Sequence, residues 1–376
     1  MKNFEGQLNN TIPSPRENPN LFGHEEAIKL LFKSYLSGKI SHSWLIQGPK
    51  GIGKATLAFN FARFLLNQKH KTSNNSLNEN IANDTNALNH NHKFWTNPEL
   101  PVFNQVAAGT HSNLLTIERS IDKTGKQKNS ILIDQVRVIK KFLEKSATDH
   151  GWKIVIIDSV EEMNVFAANA ILKMLESPPK NSILLLVCHK PNKLLPTITS
   201  RCRKLTLTGL LNNDMKRLLT KFFPSMNNTE QELLVQISEG RIGYAISLAS
   251  SKGLEIYRDI LGLLSTLPQL NTPNLQQLLT HVDHPNSNSA IIILMELLSG
   301  IFSRQIRHGY ERDLKNLPTL EQNINFQILP NENPEQWLLL WEKINNLTIL
   351  STSINLDPKH VVLNMFLEIE KLQSTN

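Results

Sequence analysis

Cysteine is scarce in this 376-residue chain, where only Cys188 and Cys202 occur. Two thiols exclude a disulfide framework and a four-thiolate zinc site. No uninterrupted run of about 18 apolar residues occurs, which excludes a membrane-spanning helix. The opening stretch MKNFEGQLNN lacks the apolar core of a secretory signal. Together these absences point to a reducing, cytoplasmic setting with no membrane contact. Charge excess is small as well. Forty Lys and Arg stand against 33 Asp and Glu, leaving +7, which permits nucleic-acid contact without requiring it.

What is present supports packed cores in two or three domains, since 40% of residues are hydrophobic and 19% charged. Residues 1–20 are polar and carry Pro13, Pro15 and Pro19, so they are expected to form a loose, flexible arm. Helical periodicity predicts helices over 25–37, 55–66, 133–144 and 166–175. Strands are predicted at 44–46, 154–157, 183–187 and 204–207, and order is expected to return at 114–117. Two of them, Ile154-Val155-Ile156-Ile157 and the run 183–187, are continuously apolar, as strands buried on both faces of a parallel sheet are. Alternating strands and helices define an α/β domain over 21–209. An Asn-rich stretch near 67–97 interrupts it and reads as a solvated, mobile insertion, whose His70, His90 and His92 are solvated side chains, not metal ligands. Beyond Leu210 the strand signals vanish, and helices are predicted at 213–222, 230–238, 243–249, 257–264, 275–281, 290–308, 334–349 and 359–371.

Gly48-Pro49-Lys50-Gly51-Ile52-Gly53-Lys54-Ala55 fits the pattern G-x-x-x-x-G-K-[S/T] in all but its last position. It lies between a predicted strand and a predicted helix, as a phosphate cradle requires. Backbone N–H groups and the helix N-terminus then face the anion, and Lys54 neutralises the β- and γ-phosphates. The last position normally supplies a hydroxyl for Mg²⁺, which Ala55 lacks; Thr56 is one residue on, about 100° around the helix. Asp158, at the end of the 154–157 strand, is the expected metal-side acid. The next residue is Ser159, where hydrolysis needs a carboxylate to polarise water, and Glu161 and Glu162 are expected further along the loop. Gly48, Gly51, Gly53, Lys54, Thr56 and Asp158 thus outline a degenerate nucleotide site. Weak ATP or ADP binding stays open there, but hydrolysis by the chain alone is not expected. The neighbours Cys188 and His189 suggest a nucleophile pair, yet Cys188 reads better as a small residue at the edge of a core.

Other segments carry a family signature. Ala168-Asn169-Ala170-Ile171-Leu172-Lys173-Met174-Leu175-Glu176-Ser177-Pro178-Pro179 is similar to the helix and turn of bacterial clamp-loader subunits, N-A-L-L-K-x-L-E-E-P-P. Leu194-Leu195-Pro196-Thr197-Ile198-Thr199-Ser200-Arg201-Cys202 is similar to their next signature, which ends in Ser-Arg-Cys. Leu21-Phe22-Gly23-His24 resembles their [I/L]-x-G-[Q/H] box, and with the phosphate loop these motifs span 21–207 in the family's order. The chain resembles the delta-prime family of bacterial DNA polymerase III clamp-loader subunits. Leu356-Asp357-Pro358-Lys359 is compatible with the C-terminal domain of that family.

The resemblance implies an AAA+ fold: a RecA-like α/β domain over 21–209, a helical lid over 210–252 and a helical collar over 253–376. It implies a stator beside tau/gamma and delta subunits that helps load the sliding clamp onto primed DNA. Arg201 would then be an arginine finger offered in trans to a neighbour's ATP site. The chain departs from the family in three places. The Asn-rich insertion occupies the place of a four-Cys module, so no zinc is expected. Gly240-Arg241-Ile242-Gly243-Tyr244-Ala245 carries its arginine early for a lid sensor, and Cys188-His189 replaces the hydroxyl residues of active relatives. Arg137, Lys141 and Lys145 recur every four residues as one helical stripe. That stripe is either a solvated face or a contact with duplex phosphates inside the clamp-loader spiral. An active AAA+ motor of the tau/gamma or branch-migration type is the main rival and is opposed by Ala55 and Ser159. A P-loop kinase is opposed by the Ser-Arg-Cys segment and the all-helical C-terminal half.

Overall fold

The computed structural model describes residues 12–68, 92–121, 128, 130–145, 151–282, 288–311, 317–322, 334–353 and 357–374. Two units are present, Met1–Leu218 with Gly240–Gly243, and Leu219–Glu239 with Tyr244–Asn376.

In the first unit, β1 (Ser43–Gln47), β2 (Leu114–Ile117), β3 (Lys153–Ile157), β4 (Ser182–Cys188) and β5 (Arg203–Thr206) form one parallel sheet in the order β2-β3-β4-β1-β5. Its helices are α1 (Glu25–Leu36), α2 (Lys54–Asn67), α3 (Pro101–Ala107), α4 (Ile133–Glu144), α5 (Val165–Glu176), α6 (Pro196–Thr199) and α7 (Asn212–Phe222), the last of which ends in the second unit. Every residue of β3 and β4 is buried, which explains why all but their first residues, Lys153 and Ser182, are apolar. Successive strand side chains point to opposite faces. Trp44, Ile46, Ile154, Ile156, Leu185 and Val187 therefore pack with residues of α1 and α2. Leu45, Val155, Ile157, Leu184, Leu186 and Cys188 pack with residues of α4 and α5. The α/β architecture agrees with the sequence reading, α4 has the predicted bounds, and the segment 114–117, where the sequence marks only a return of order, is a strand. Helices α3 and α6 were not predicted; at 7 and 4 residues they are too short to show helical periodicity.

Two segments expected to be loose are partly packed. Arg63, buried in α2, donates from Nη1 to the Arg16 carbonyl at 2.6 Å and from Nη2 to the Asn18 carbonyl at 2.6 Å, and it also reaches Asn60. Its guanidinium lies 4.7 Å from the Phe103 ring centre. Among the described residues no carboxylate pairs with this buried cation; backbone carbonyls take its Nη1 and Nη2 while Nε has no hydrogen-bond partner, and residues 16–18 are held in place as a result. At the end of the insertion Phe94 is fully buried, 5.0 Å from Phe61 and 5.2 Å from Phe64 between ring centres. Burying one such ring contributes about 2 kcal/mol, enough to fix a short segment whatever the Asn content beside it. His92 is buried rather than solvated, with Nε2 3.1 Å from both the Leu21 nitrogen and the Pro19 oxygen. Residues 1–11 and 69–91, with His70 and His90, lie outside the described residues.

Arg63→Met should lower stability by about 2–3 kcal/mol, because buried carbonyls lose a charged donor. Trypsin should also cut faster after Arg16, whose carbonyl is released. A melting temperature and cleavage rate equal to those of the wild type would show that the arm is held by other contacts.

The second unit contains no strand among its described residues. Its helices are α8 (Asn228–Ser238), α9 (Ile242–Ser250), α10 (Gly253–Leu264), α11 (Thr272–Thr280), α12 (Asn288–Glu311), α13 (Thr319–Gln322), α14 (Pro334–Ser353) and α15 (Pro358–Ser374). Helices α12 and α14 pack together: Phe302 stacks on Trp337 with ring centres 5.7 Å apart, and Trp341 Nε1 donates to the Ser299 carbonyl at 3.2 Å. A charged pair is enclosed nearby. Arg304 is 3% exposed and Glu321 1% exposed. Arg304 donates to Glu321 Oε1 from Nη2 at 2.5 Å and from Nε at 3.1 Å, while the Tyr257 hydroxyl donates to the same oxygen at 2.7 Å. Burial, then the Glu321 charge, holds the Tyr257 hydroxyl far above its ordinary pKa. No described helix is long and apolar enough to cross a membrane.

Candidate functional site

The phosphate-type loop leaves β1 and enters α2. Gly48 has φ +151°, and a Cβ there would lie 2.3 Å from the Leu207 carbonyl oxygen, so only glycine fits where the loop crosses the end of β5. Lys54, the first residue of α2, is 2% exposed and donates to the Gly48 carbonyl at 2.7 Å and to the Pro49 carbonyl. The ammonium thus rests on carbonyls of its own loop. Burial lowers its pKa to about 8. The Gly51 carbonyl accepts the Gly243 N–H at 2.8 Å, and a Cβ on Gly243 would lie 3.0 Å from Gly51 Cα. Gly53 precedes α2 with φ +100°. Ala55 and Thr56 are half-buried in the first turn of α2, and Ala55 presents no oxygen.

Acidic residues gather beyond β3. Asp158 N–H donates to the Ile117 carbonyl at 2.9 Å, fixing Asp158 between the ends of β2 and β3. Ser159 then adopts a left-handed conformation, φ 60°, and a single 3₁₀ turn follows at Val160–Glu162. This reversal corrects one expectation. Glu161 does not run on along the loop but folds back, and its Oε1 accepts the His189 N–H at 2.9 Å. Its charge acts on both Lys54 and Asp158. Glu162 points elsewhere, paired with Arg119 at 2.7 Å.

Burial raises the Asp158 pKa, with the nearby Glu118 and Glu161 charges adding to the effect. His189 Nε2 lies 3.9 Å from Asp158 Oδ1. Burial first, then Lys54, Lys50 and Lys190, lowers His189 to about 3, so at neutral pH the contact is dipolar rather than an ion pair. Asp158 Oδ1, Glu161 Oε2 and His189 Nδ1 are buried without a hydrogen-bond partner among the described residues. Burial pushes the Cys188 thiol up to about 12. Such a thiol is not a nucleophile at neutral pH, and Cys188 belongs to the core. No group of three or more His, Cys, Asp or Glu is arranged to hold a metal ion among the described residues.

Arg201 follows α6 on the same unit. It donates from Nε at 2.8 Å and from Nη2 at 2.6 Å to Glu176 Oε1, and from Nη1 to the Thr197 carbonyl at 3.0 Å and to Ser200 Oγ at 3.3 Å. Its side chain remains 35% exposed. Arg203, two residues on, lies 4.8 Å from the Trp44 ring centre instead. Cys202 between them is buried, which pushes its thiol up to about 12. On α4, Arg137 pairs with Asp134 at 3.1 Å and Lys141 is exposed, while Lys145 is the first residue past the helix.

Sequence reasoning missed three of these partners. The sequence puts Glu161 too far along the loop, because nothing in it marks Ser159 as left-handed. It gives no sign of the roles of Arg119 and Glu176. Glu176 sat inside a recognised motif, 25 residues before the arginine that it holds.

A parallel sheet in this strand order defines a P-loop protein of the AAA+ class when a Gly-Lys loop leaves β1 and an acid ends β3. Within that class the chain belongs to the family described as DNA polymerase III, delta subunit, whose model matches residues 23–210, half of the chain. It is 35% identical over 171 residues to DNA polymerase III subunit delta' of Pseudomonas aeruginosa, covering 45% of this chain and 44% of that one. Identity to subunit delta' of Escherichia coli is 30% over 176 residues, covering 46% and 44%. The chain therefore spans less than half the length of these relatives. A solved DNA polymerase III gamma subunit-related protein from Thermotoga maritima aligns with 91% of this chain and 98% of its own, at 17% identity and a TM-score of 0.47.

Proposed function

We propose that this chain is the delta-prime stator of a DNA polymerase III clamp loader. It would assemble in the cytoplasm with tau/gamma and delta subunits and help load the sliding clamp onto primed duplex DNA. Residues 210–252 would serve as its lid and 253–376 as its collar. One observation carries this reading: the phosphate-type loop is satisfied internally while the Ser-Arg-Cys arginine stays at the surface. Lys54 is engaged with loop carbonyls, Gly243 is bonded to Gly51, and Ala55 and Ser159 lack the groups that hold Mg²⁺ and activate water. A nucleotide phosphate would have to displace the Lys54 contacts, so these residues fit a hydrolysable Mg²⁺–nucleotide poorly. Any ATP or ADP would bind weakly. Arg201 would instead serve an ATP site on the neighbouring subunit, and Arg137, Lys141 and Lys145 would lie toward duplex phosphates.

Two measurements test this. The purified chain should show no ATP turnover above background; steady turnover that disappears in Lys54→Ala would overturn the stator role. Tau/gamma and delta subunits mixed with clamp and primed DNA should load clamps only when the chain is added. Equal loading without it would also overturn that role.

A further inference from the structure

We propose that Glu176 is a positioning residue for Arg201, holding its guanidinium in the orientation used toward the neighbouring subunit; this rests on Arg201 acting in trans. Glu176 is the last residue of α5, a twelve-residue helix with Ala167, Ala168, Ile171 and Leu175 in the core. Arg201 stands just beyond α6, which has only four residues. The short element gives the arginine little support of its own. One carboxylate oxygen of Glu176 accepts from both Nε and Nη2, and the Thr197 carbonyl takes Nη1 from the other side. The guanidinium plane is thereby fixed by two separate elements.

The edge that is used matters. A guanidinium carries five N–H groups in a planar fork. Glu176 occupies the side edge formed by Nε and Nη2, so the second hydrogen of Nη2 remains on the end edge, and about a third of the side chain is exposed. An end edge can approach phosphate oxygens without the carboxylate leaving. A long arginine free in solvent would have to give up rotamer freedom on reaching a phosphate, whereas one already clamped has less to lose. In the opposite role, Glu176 would sequester the arginine and have to be displaced. Charge separates the two. Gln retains an acceptor oxygen for Nε and Nη2 but cannot neutralise the guanidinium.

The experiment uses the reconstituted complex, with the phosphate-loop lysine replaced in every motor subunit except the one adjoining this chain. DNA- and clamp-stimulated ATP hydrolysis then reports on a single site. Glu176→Ala should lower kcat by about 10- to 100-fold, the scale expected for a misplaced catalytic group, with the KM for ATP unchanged within about twofold. Glu176→Gln should recover most of that rate. Arg201→Ala, run in parallel, separates the two claims. If Arg201→Ala slows the site and Glu176→Ala does not, the positioning role is lost and the arginine finger stands. If Arg201→Ala is itself without effect, the finger fails. Faster hydrolysis in both Glu176 variants would make Glu176 a latch and overturn the proposal. Loss of assembly in Glu176→Ala, measured by gel filtration, would overturn it too, by making Glu176 an interface residue. Because the pair is exposed, the fold itself should not depend on it.

Discussion

Arg201→Ala should slow hydrolysis by roughly 10³–10⁵-fold at the neighbouring ATP site that its proposed role in trans assigns to it, the range for arginine fingers supplied by a neighbour. A guanidinium stays charged at every relevant pH and can bridge two phosphate oxygens as charge builds on the transferring group. Loss at one site leaves the others active, so bulk ATPase of the complex should fall only in part, while clamp loading should fall further if it requires all sites to fire. The chain should remain folded, since the Arg201 side chain bonds to the exposed residues Glu176, Thr197 and Ser200 among the described residues. Arg203→Ala provides the contrast. Its guanidinium lies over Trp44, so its removal should affect stability rather than hydrolysis. Wild-type loading by an intact Arg201→Ala complex would refute the finger.

The second large effect is expected in the helical unit. Glu321→Ala should cost about 3–5 kcal/mol, because Arg304, at 3% exposure, loses its close carboxylate and keeps only the more distant Glu239, 3.9 Å from Nη1 among the described residues. It also leaves the Tyr257 hydroxyl without its acceptor. The double change Arg304→Met with Glu321→Leu should recover much of the loss, since a buried ion pair seldom outperforms apolar residues of similar size. Urea denaturation followed by tryptophan emission gives both values. A single-variant cost under about 1 kcal/mol would mean that water reaches Arg304 when its partner is removed.

How much of this was visible in the sequence depended on the range of the causes. The unbroken apolar runs of β3 and β4 and the periodicity of α4 are local, and they located those elements to within a residue or so. The phosphate-type loop and Asp158 were visible for the same reason. Arg63 was not, because a buried arginine bonded to carbonyls 45 and 47 residues away leaves no local pattern. Phe94 was masked by polar neighbours, although one ring among Phe61 and Phe64 sufficed to order its segment. The position of Glu161 depended on one left-handed serine, and serine carries no marked preference for that conformation.

The two-faced burial of the sheet has a consequence for how its alignment is encoded. In a half-buried strand, a slip of one residue would drive polar side chains into the core, and that penalty protects the register. Strand β4 has no such safeguard: Ile183, Leu185 and Val187 on one face and Leu184, Leu186 and Cys188 on the other are all apolar. Slipping by one would exchange one greasy set for another. Fidelity must therefore come from shape and from the strand ends, where Ser182 Oγ donates to the Pro179 carbonyl, Lys153 N–H to the Asn181 carbonyl and Leu184 N–H to the His42 carbonyl. Those few polar contacts act as the alignment marks of the sheet, so changes there threaten misregistered folding more than substitutions at its apolar centre.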